Sequence, residues 1–227
     1  MQSIKQPKSL MEVTTDRIRT AIVAGELPLG SKLSEQRLAD MLGISRSPVR
    51  DALAVLQIEG LVNVLPKRGS FVFTPDMRDV NELCEHRAVL ESAAIRMGIE
   101  RNFDTLIENL EVACATMELA LEKSDNKGYS VADDQFHTAI LDACQNRSII
   151  KAYSYTISPA KALRTHLFMI LNENTDRSMG QHISILQACR CKDADLAAQH
   201  LSEHIGHLAT AFSIGHSNQP EATDILR

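Results

Sequence analysis

The chain has 227 residues, of which 44% are apolar and 23% charged, proportions typical of a soluble globular protein rather than a disordered one. This length predicts one large or two modest domains. No apolar run approaches the ~20 residues of a membrane span, and the N-terminus lacks a secretory-type apolar block. The five cysteines are sparse and odd in number, which argues against a disulfide framework. We therefore expect a cytoplasmic protein.

Charge is distributed unevenly along the chain. Residues 1–75 contain 10 Lys and Arg against 7 Asp and Glu, whereas the remaining 152 residues contain 14 against 22. All eight histidines and all five cysteines lie beyond residue 75. A basic head joined to an acidic, His-rich body predicts a polyanion partner for the head and polar site chemistry for the body. We place two domains at 1–75 and 76–214, followed by a loose polar tail at 215–227.

Three short helices and a hairpin are predicted in the head. Each helix is preceded by a serine that can cap it and followed by a glycine that can end it: Ser9 and Gly25, Ser34 and Gly43, Ser45 and Gly60. In the second helix the spacing places Met41 inward. Two β-rich runs at 61–64 and 70–73 flank a basic turn at 66–69, which predicts a hairpin. Two helices joined by a Gly-containing turn and followed by such a hairpin are typical of a winged helix-turn-helix.

The third helix carries the residues that suggest DNA contact. Arg46 and Arg50 lie four residues apart near its N-terminus, so they project from one face. This end of a recognition helix enters the major groove, where Arg can bond guanine bidentately or clamp a phosphate. The Ser47 hydroxyl can meet a phosphate at the positive helix end. The alternative is a solvated arginine pair beside Asp51, but the turn, the caps and the hairpin together favour DNA contact.

Residues 38–53, LADMLGISRSPVRDAL, with EGLV at 59–62 and RGSFV at 68–72, resemble the GntR family of bacterial transcription regulators. The resemblance runs from about residue 12 to residue 73. In that family the arginine pair and the hairpin contact a short palindromic operator, which implies double-stranded DNA as a partner and a homodimer as the reader. Carried onto this sequence, the implied contacts are Gln36, Arg37, Arg46, Ser47, Arg50, Lys67, Arg68 and Gly69.

The body is predicted to be an all-α bundle. Helical periodicity indicates six helices near 76–99, 103–124, 128–145, 147–171, 175–191 and 193–214. Pro159 should kink the fourth. The whole chain is therefore predicted to be mainly α, with an N-terminal winged helix-turn-helix and a C-terminal six-helix bundle.

Several polar residues of the body fall on apolar helical stripes. Asp133 and His137 are four apart, and His182 and His204 each share a stripe with apolar residues. A lone inward His is more often a hydrogen-bonded core residue. However, a carboxylate and three imidazoles inside a bundle must all be satisfied, and a metal does that for several at once.

The length of the last two helices selects among the downstream histidines. If they form an antiparallel hairpin that turns near residues 192–193, His182 lies ~15 Å and His204 ~16 Å from the turn. His200 would then lie too close to the turn and His207 too far from it. We interpret His200 and His207 as solvated residues or as neighbours of the site.

The segment DDQFH at 133–137, with Asn146, His182 and His204, resembles the FCD ligand-binding domain found in the FadR-type subgroup of GntR regulators. The resemblance covers roughly 76–214 and implies a divalent metal held by Asp133, His137, His182 and His204. We expect zinc, with nickel or manganese as alternatives, since the mixed nitrogen and oxygen set does not itself select the metal. Asp134 is a rival to Asp133 but departs from the family's spacing. The resemblance also implies a small organic acid as effector.

Arg87 also lies on an apolar stripe, one turn before Glu91. One interpretation is an i, i+4 ion pair on the helix or at a dimer seam. The other is a fork for the effector's carboxylate near the metal. Arg164 and His166 are weaker candidates for the same pocket.

Three functions follow from these patterns. The leading hypothesis is an effector-responsive transcription regulator with no enzymatic activity. The second is a metal-dependent enzyme that acts on small carboxylates and carries a DNA-targeting head. The third makes the metal purely structural.

Overall fold

A computed structural model describes residues 8–170 and 174–217. The chain divides into two compact units, with the division between Thr74 and Pro75. Over the described ranges the chain forms nine α-helices and one three-stranded sheet. The predicted mainly-α fold is therefore confirmed.

The N-terminal unit contains three helices and a small antiparallel sheet. Its elements are α1 (Leu10–Val23), β1 (Lys32–Leu33), α2 (Glu35–Leu42), α3 (Arg46–Ile58), β2 (Val62–Leu65) and β3 (Gly69–Val72). The sheet order is β1-β3-β2, and Leu65 pairs with Gly69 where the β2–β3 hairpin turns. The predicted hairpin is present. The sequence did not indicate β1, because two residues are too few to show an alternating pattern.

Side-chain capping marks the start of α1 and α2, whereas Ser45 occupies the N-cap position of α3 without a side-chain capping bond. Ser9 and Glu12 form a reciprocal capping box at the start of α1, and the Ser34 hydroxyl accepts the Arg37 N–H at 3.3 Å. Gly43 ends α2 with φ 67°, a left-handed backbone that favours glycine. The inward placement of Met41 was wrong, since 68% of this residue is exposed.

Six helices form the C-terminal unit. They are α4 (Met77–Arg101), α5 (Phe103–Glu122), α6 (Asn126–Ala143), α7 (Arg147–Ile170), α8 (Asn174–Arg190) and α9 (Ala194–Ser217). Every observed end lies within three residues of its predicted position, and α7 continues through Pro159. Residues 171–173 and 218–227, which include most of the predicted tail, lie outside the described residues.

Helix α6 occupies the interior of this unit, where it packs against α4, α5 and α7. Helix α4 lies close to the end of α6, as shown by Gly98, where an added Cβ would lie only 3.1 Å from the Ala143 Cβ. Helices α8 and α9 pack along each other and are joined by a short turn that Asp193 caps through the Leu196 N–H at 3.0 Å. Helix α9 also packs against α4, and α8 packs against α5.

None of the helices in the described ranges combines the length and hydrophobicity needed to cross a lipid bilayer.

Candidate metal centre and nucleic-acid interface

Four side chains that the sequence predicted as metal ligands converge in the C-terminal unit. Asp133 and His137 project from one face of α6, His182 comes from α8 and His204 from α9. All four residues are buried, and one ligand atom from each lies within 4.8 Å of the others. The i, i+4 spacing on α6 and the tight α8–α9 turn bring these atoms together.

The hydrogen bonds of two histidines fix which ring nitrogen faces the centre. His137 Nδ1 lies 2.6 Å from Glu91 Oε2, and His204 Nδ1 lies 3.1 Å from Gln181 Oε1. Burial alone would raise the pKa of Glu91, but Arg87 and His137 lower it to about 2. Glu91 therefore only accepts, and His137 Nδ1 must donate. By the same reasoning His204 Nδ1 donates to the amide oxygen of Gln181.

The two Nε2 atoms consequently present lone pairs to each other at 3.3 Å. Burial lowers the pKa of both His137 and His204, which disfavours a proton between them. Two ligands of a tetrahedral zinc ion, each ~2.0–2.1 Å from the metal, lie ~3.3 Å apart. The spacing of the two nitrogens therefore fits a bound cation.

Asp133 and His182 contribute buried polar atoms whose bonding is incomplete. Neither carboxylate oxygen of Asp133 and neither ring nitrogen of His182 has a hydrogen-bond partner, although His182 Nε2 lies 3.3 Å from Asp133 Oδ1. Burial would raise the pKa of Asp133, but Arg164, with Nη1 at 2.8 Å from Oδ2, and the nearby imidazoles hold it well below its usual value. The ion pair with Arg164 compensates part of the cost of burying the Asp133 carboxylate, but its Oδ1 and the imidazole of His182 lack a hydrogen bond, and a metal would engage both. These residues fit a divalent metal.

Arg87 lies beside this centre and is only 2% exposed. Its Nε donates to Glu91 Oε1 at 2.9 Å, so the i, i+4 ion pair is present, while its Nη2 has no hydrogen-bond partner. Tyr153 donates to the same Glu91 oxygen at 2.9 Å. Glu91 thus links the guanidinium, the phenol and the metal-facing imidazole of His137, a role that sequence reasoning did not assign to it.

A cavity of about 70 Å³ adjoins the four-residue cluster, and Asp133 and His204 form part of its wall. Its other polar wall residues are Arg87, Arg164, Arg177, Ser178, Gln181, His207 and Thr210. Its apolar wall residues are Leu167, Phe168, Ile205, Leu208, Ala211 and Ile214. Predicted pocket residues Arg87 and Arg164 therefore line the cavity, whereas His166 is half-buried and lies outside its wall.

Two residues near the centre lie beside the four-residue cluster without belonging to it. Asp134 is bound by Lys161 at 2.7 Å and by Arg164 Nη2 at 3.0 Å, and it lies outside the four-residue cluster. His207 hydrogen-bonds through Nδ1 to Gln181, the residue that also contacts His204. Gln181 carried no sequence signal, because a glutamine next to an inward histidine is ordinary on a helix surface.

The predicted DNA-contacting residues are exposed on the N-terminal unit. At the start of α3, the Arg46 and Arg50 side chains are 55% and 65% exposed, and Ser47 is exposed beside them. Both arginines pair with Glu35 of α2, at 3.0 Å from Arg46 Nη2 and 3.4 Å from Arg50 Nη2. Hydrogen bonds from Arg50 and Arg46 lower the pKa of Glu35. The sequence indicated only Asp51 as a partner for this pair.

The remaining predicted contacts lie on α2 and at the hairpin turn. Gln36 and Arg37 are exposed on α2, where Gln36 Nε2 donates to Asp40 Oδ1 at 2.8 Å. Lys67, Arg68 and Gly69 are exposed between β2 and β3. The Arg68 N–H closes this turn on the Leu65 carbonyl at 3.1 Å, and Lys67 has φ 62°.

Comparison with known families agrees with both units. The model of the FCD domain matches residues 82–207, more than half of the chain, and that of the gntR family of bacterial regulatory proteins matches residues 10–72. The chain belongs to the GntR family. The predicted function of a DNA-binding transcription regulator is thereby confirmed for this GntR protein.

Curated relatives of this GntR regulator are themselves regulators. It is 35% identical over 133 residues to an HTH-type transcriptional regulator of Agrobacterium vitis, covering 56% of this chain and 75% of the relative. The chain is 26% identical over 192 residues to the gluconate operon transcriptional repressor of Bacillus licheniformis, a match that covers 82% of this chain and 78% of the relative. It is 25% identical over 197 residues to the transcriptional repressor RspR of Escherichia coli, covering 85% and 84%.

Solved structures share the fold of this GntR regulator. McbR/YncC of E. coli superposes with a TM-score of 0.80 at 20% identity, over 92% of this chain and 100% of the other. A GntR transcriptional regulator from Rhodococcus sp. RHA1 gives a TM-score of 0.76 at 22% identity, over 93% and 100%.

Proposed function

We propose that this GntR regulator is a cytoplasmic homodimer whose affinity for a palindromic operator is set by a small organic acid bound beside a divalent metal. One observation carries the proposal. Buried ligand atoms of Asp133, His137, His182 and His204 lie within 4.8 Å of one another. Two of these residues line a cavity whose wall also contains Arg87, and Nη2 of this arginine has no hydrogen-bond partner.

The four residues would hold the metal with three imidazole nitrogens and one carboxylate oxygen. When bound, the metal supplies a positive charge that attracts an anionic ligand. Zinc suits such a mixed nitrogen and oxygen set, and nickel or manganese are the alternatives. Glu91 orients the imidazole of His137, and Gln181 orients that of His204.

The cavity supports a carboxylic acid as the effector. A buried guanidinium with a free N–H group favours an anion, and a planar fork matches the geometry of a carboxylate. Arg87 would bind that carboxylate, while Arg164, which also lines the cavity, holds Asp133 and Asp134 in place. The cavity of about 70 Å³ has room for a small molecule. His166 stays a predicted contact without support from the cavity wall.

For operator binding we propose base and phosphate contacts from the start of α3 and from the β2–β3 turn. A homodimer would place two such surfaces on a two-fold operator. The proposed contacts are Gln36, Arg37, Arg46, Ser47, Arg50, Lys67, Arg68 and Gly69.

We expect Arg46→Ala or Arg50→Ala to lower operator affinity about 5- to 150-fold, the range for one bidentate contact. Fluorescence anisotropy across a salt series measures this, and operator binding that is insensitive to salt would contradict it.

Regulation rather than catalysis is proposed because both carboxylates that could serve as a general base are engaged. Glu91 accepts from Arg87, His137 and Tyr153, and Asp134 is held by Lys161 and Arg164. Turnover of small carboxylates by the metal-loaded protein that disappears in His204→Ala would instead favour the enzyme.

The deciding experiment combines metal analysis with thermal melting. We expect about one equivalent of divalent metal per chain in the purified protein and its loss in His204→Ala. His200→Ala is the matched control, because His200 lies on the same helix outside the cluster. A screen of small organic acids should find one that raises the melting temperature of the metal-loaded protein only. Melting that depends on metal but responds to no acid would support a structural metal instead.

A further inference from the structure

One carboxylate in the N-terminal unit contacts both arginines at the start of α3. Glu35 Oε2 lies 3.0 Å from Arg46 Nη2, while Arg50 donates to Glu35 from Nε and Nη2, each at 3.4 Å. Glu35 is the first residue of α2, where the positive helix end favours a carboxylate. Its side chain is 27% exposed, about half the exposure of either arginine.

The contacts leave both arginines able to bind a base. A guanidinium has five N–H donors. Arg50 uses Nε and one hydrogen of Nη2, so the end of its fork, formed by Nη1 and the second hydrogen of Nη2, stays free. Arg46 uses one hydrogen of Nη2, which leaves a complete pair of donors as well. Guanine accepts two parallel donors at O6 and N7. Glu35 can therefore stay bound while each arginine contacts a guanine.

The same carboxylate reduces the attraction of this surface for phosphate. Two arginines carry two positive charges, and Glu35 cancels one of them. Non-specific affinity for DNA depends on such charges, whereas specific affinity depends on the position of the fork against a base edge. By holding both guanidinium groups in place, Glu35 favours specific binding to bases. By lowering the net positive charge, it weakens non-specific binding to phosphates.

We infer that Glu35 is a specificity-determining residue, which positions Arg46 and Arg50 for bases and weakens their binding to the phosphates of non-operator DNA. This inference rests on the proposed operator contacts of the two arginines. It assigns Glu35 a positioning role through these side chains and requires no contact between Glu35 and DNA.

The test compares Glu35→Gln with Asp40→Asn in the full-length protein. Asp40 is an exposed acid of the same helix whose side chain accepts from Gln36, so both variants lose one negative charge and only the first disturbs the arginines. Each protein selects from a pool of duplexes with a randomised 20-base-pair segment, and the enriched sequences are then titrated by fluorescence anisotropy against the unselected pool.

For Glu35→Gln we expect affinity for the unselected pool to rise about threefold to tenfold, the effect of one phosphate contact or two. We expect the ratio of selected to unselected affinity to fall at least about tenfold, with guanine preference lost at the positions the wild type enriches. Asp40→Asn should keep the wild-type preference. An unchanged preference in Glu35→Gln, or an equal loss in Asp40→Asn, would overturn the inference. A wild-type protein that enriches no sequence would overturn the proposed operator contacts, and the inference with them.

Discussion

Glu91 is the residue on which the geometry of the candidate metal centre most directly depends. It accepts from Arg87 Nε, Tyr153 and His137 Nδ1, and it is fully buried. The last of these bonds keeps the proton on Nδ1 and turns Nε2 toward the other ligands. Carboxylates that orient a metal-bound histidine in this way typically contribute 10- to 100-fold to metal affinity.

We therefore expect Glu91→Gln to weaken metal affinity about 10- to 100-fold, because an amide can present its NH₂ group to Nδ1 and favour the wrong tautomer of His137. Competition with a chromophoric chelator measures the affinity. Tyr153→Phe is the control, since it removes one hydrogen bond to Glu91 without contacting the imidazole. Equal metal affinity in wild type and Glu91→Gln would show that His137 needs no orienting acceptor.

The residue-level contents of the site were only partly predictable. Asp133, His137, His182 and His204 each interrupt an apolar stripe on a single helix, and such interruptions are visible in the sequence. Gln181 and the bond from Glu91 to His137 depend on how side chains of different helices meet. Periodicity along one helix carries no information about that.

At the scale of secondary-structure elements, the close approach of α4 to α6 depends on Gly98. A Cβ added there would lie 3.1 Å from Ala143 Cβ and 3.3 Å from Leu106 Cδ2, whereas one added at Gly180 on α8 would meet nothing within 4 Å. The effect of replacing glycine by alanine can therefore be compared at a crowded position, Gly98, and at an open position, Gly180.

We expect Gly98→Ala to lower the free energy of unfolding by about 1–3 kcal/mol, because the added methyl group forces α4 and α6 apart. Gly180→Ala should raise it by about 0.5–1 kcal/mol, since alanine loses less backbone entropy in a helix. Urea denaturation followed by circular dichroism gives both values. Stabilisation by Gly98→Ala would show that the α4–α6 contact tolerates a side chain.

The β2–β3 turn holds Lys67 with φ 62°, a conformation that glycine adopts at lower cost. We expect Lys67→Gly to increase the hydrogen-exchange protection of the turn, corresponding to up to about 1 kcal/mol, because relief of the left-handed backbone exceeds the added unfolded-state entropy. The same change should weaken DNA binding at all sequences and reduce the slope of log affinity against log salt concentration by about one.

Lys192→Gly provides the comparison for this variant. Lys192 has φ 56° in the turn between α8 and α9, so the chemical change is the same and lies in the other unit. DNA affinity should stay at the wild-type value in Lys192→Gly. If Lys67→Gly also binds DNA as the wild type does, the turn does not contact the phosphate backbone.

The elements themselves were largely predictable, and the exceptions have physical reasons. All six helices of the C-terminal unit were indicated by periodicity and by capping residues such as Asp193. Strand β1 was missed because its two residues gain their conformation from pairing with β3 rather than from their own pattern. Met41 was misplaced because its position on the edge of the α2 stripe borders solvent.

At the scale of the whole molecule, the distribution of charge separates two tasks. Residues 1–75 carry 10 Lys and Arg against 7 Asp and Glu, and the remainder carries 14 against 22. Because an acidic C-terminal unit repels DNA, we expect the phosphate contacts to come from the basic unit. Neither the charges nor the helical pattern in the sequence indicate how strongly a ligand in one unit changes binding by the other. That coupling is a free energy between two sites and has to be measured.

Linkage makes this coupling testable in two independent ways. An acid that raises melting of the metal-loaded protein should change operator affinity about 5- to 150-fold, the usual range for coupled sites. Reciprocity then requires operator DNA to change the affinity for that acid by the same factor and in the same direction. Anisotropy with and without the acid gives the first factor, and calorimetric titration of the acid with and without operator gives the second. In His204→Ala both factors should fall to one, because the acid loses its metal. Acid binding that leaves operator affinity unchanged in the wild type would mean that the cavity binds its ligand without controlling the DNA-binding unit.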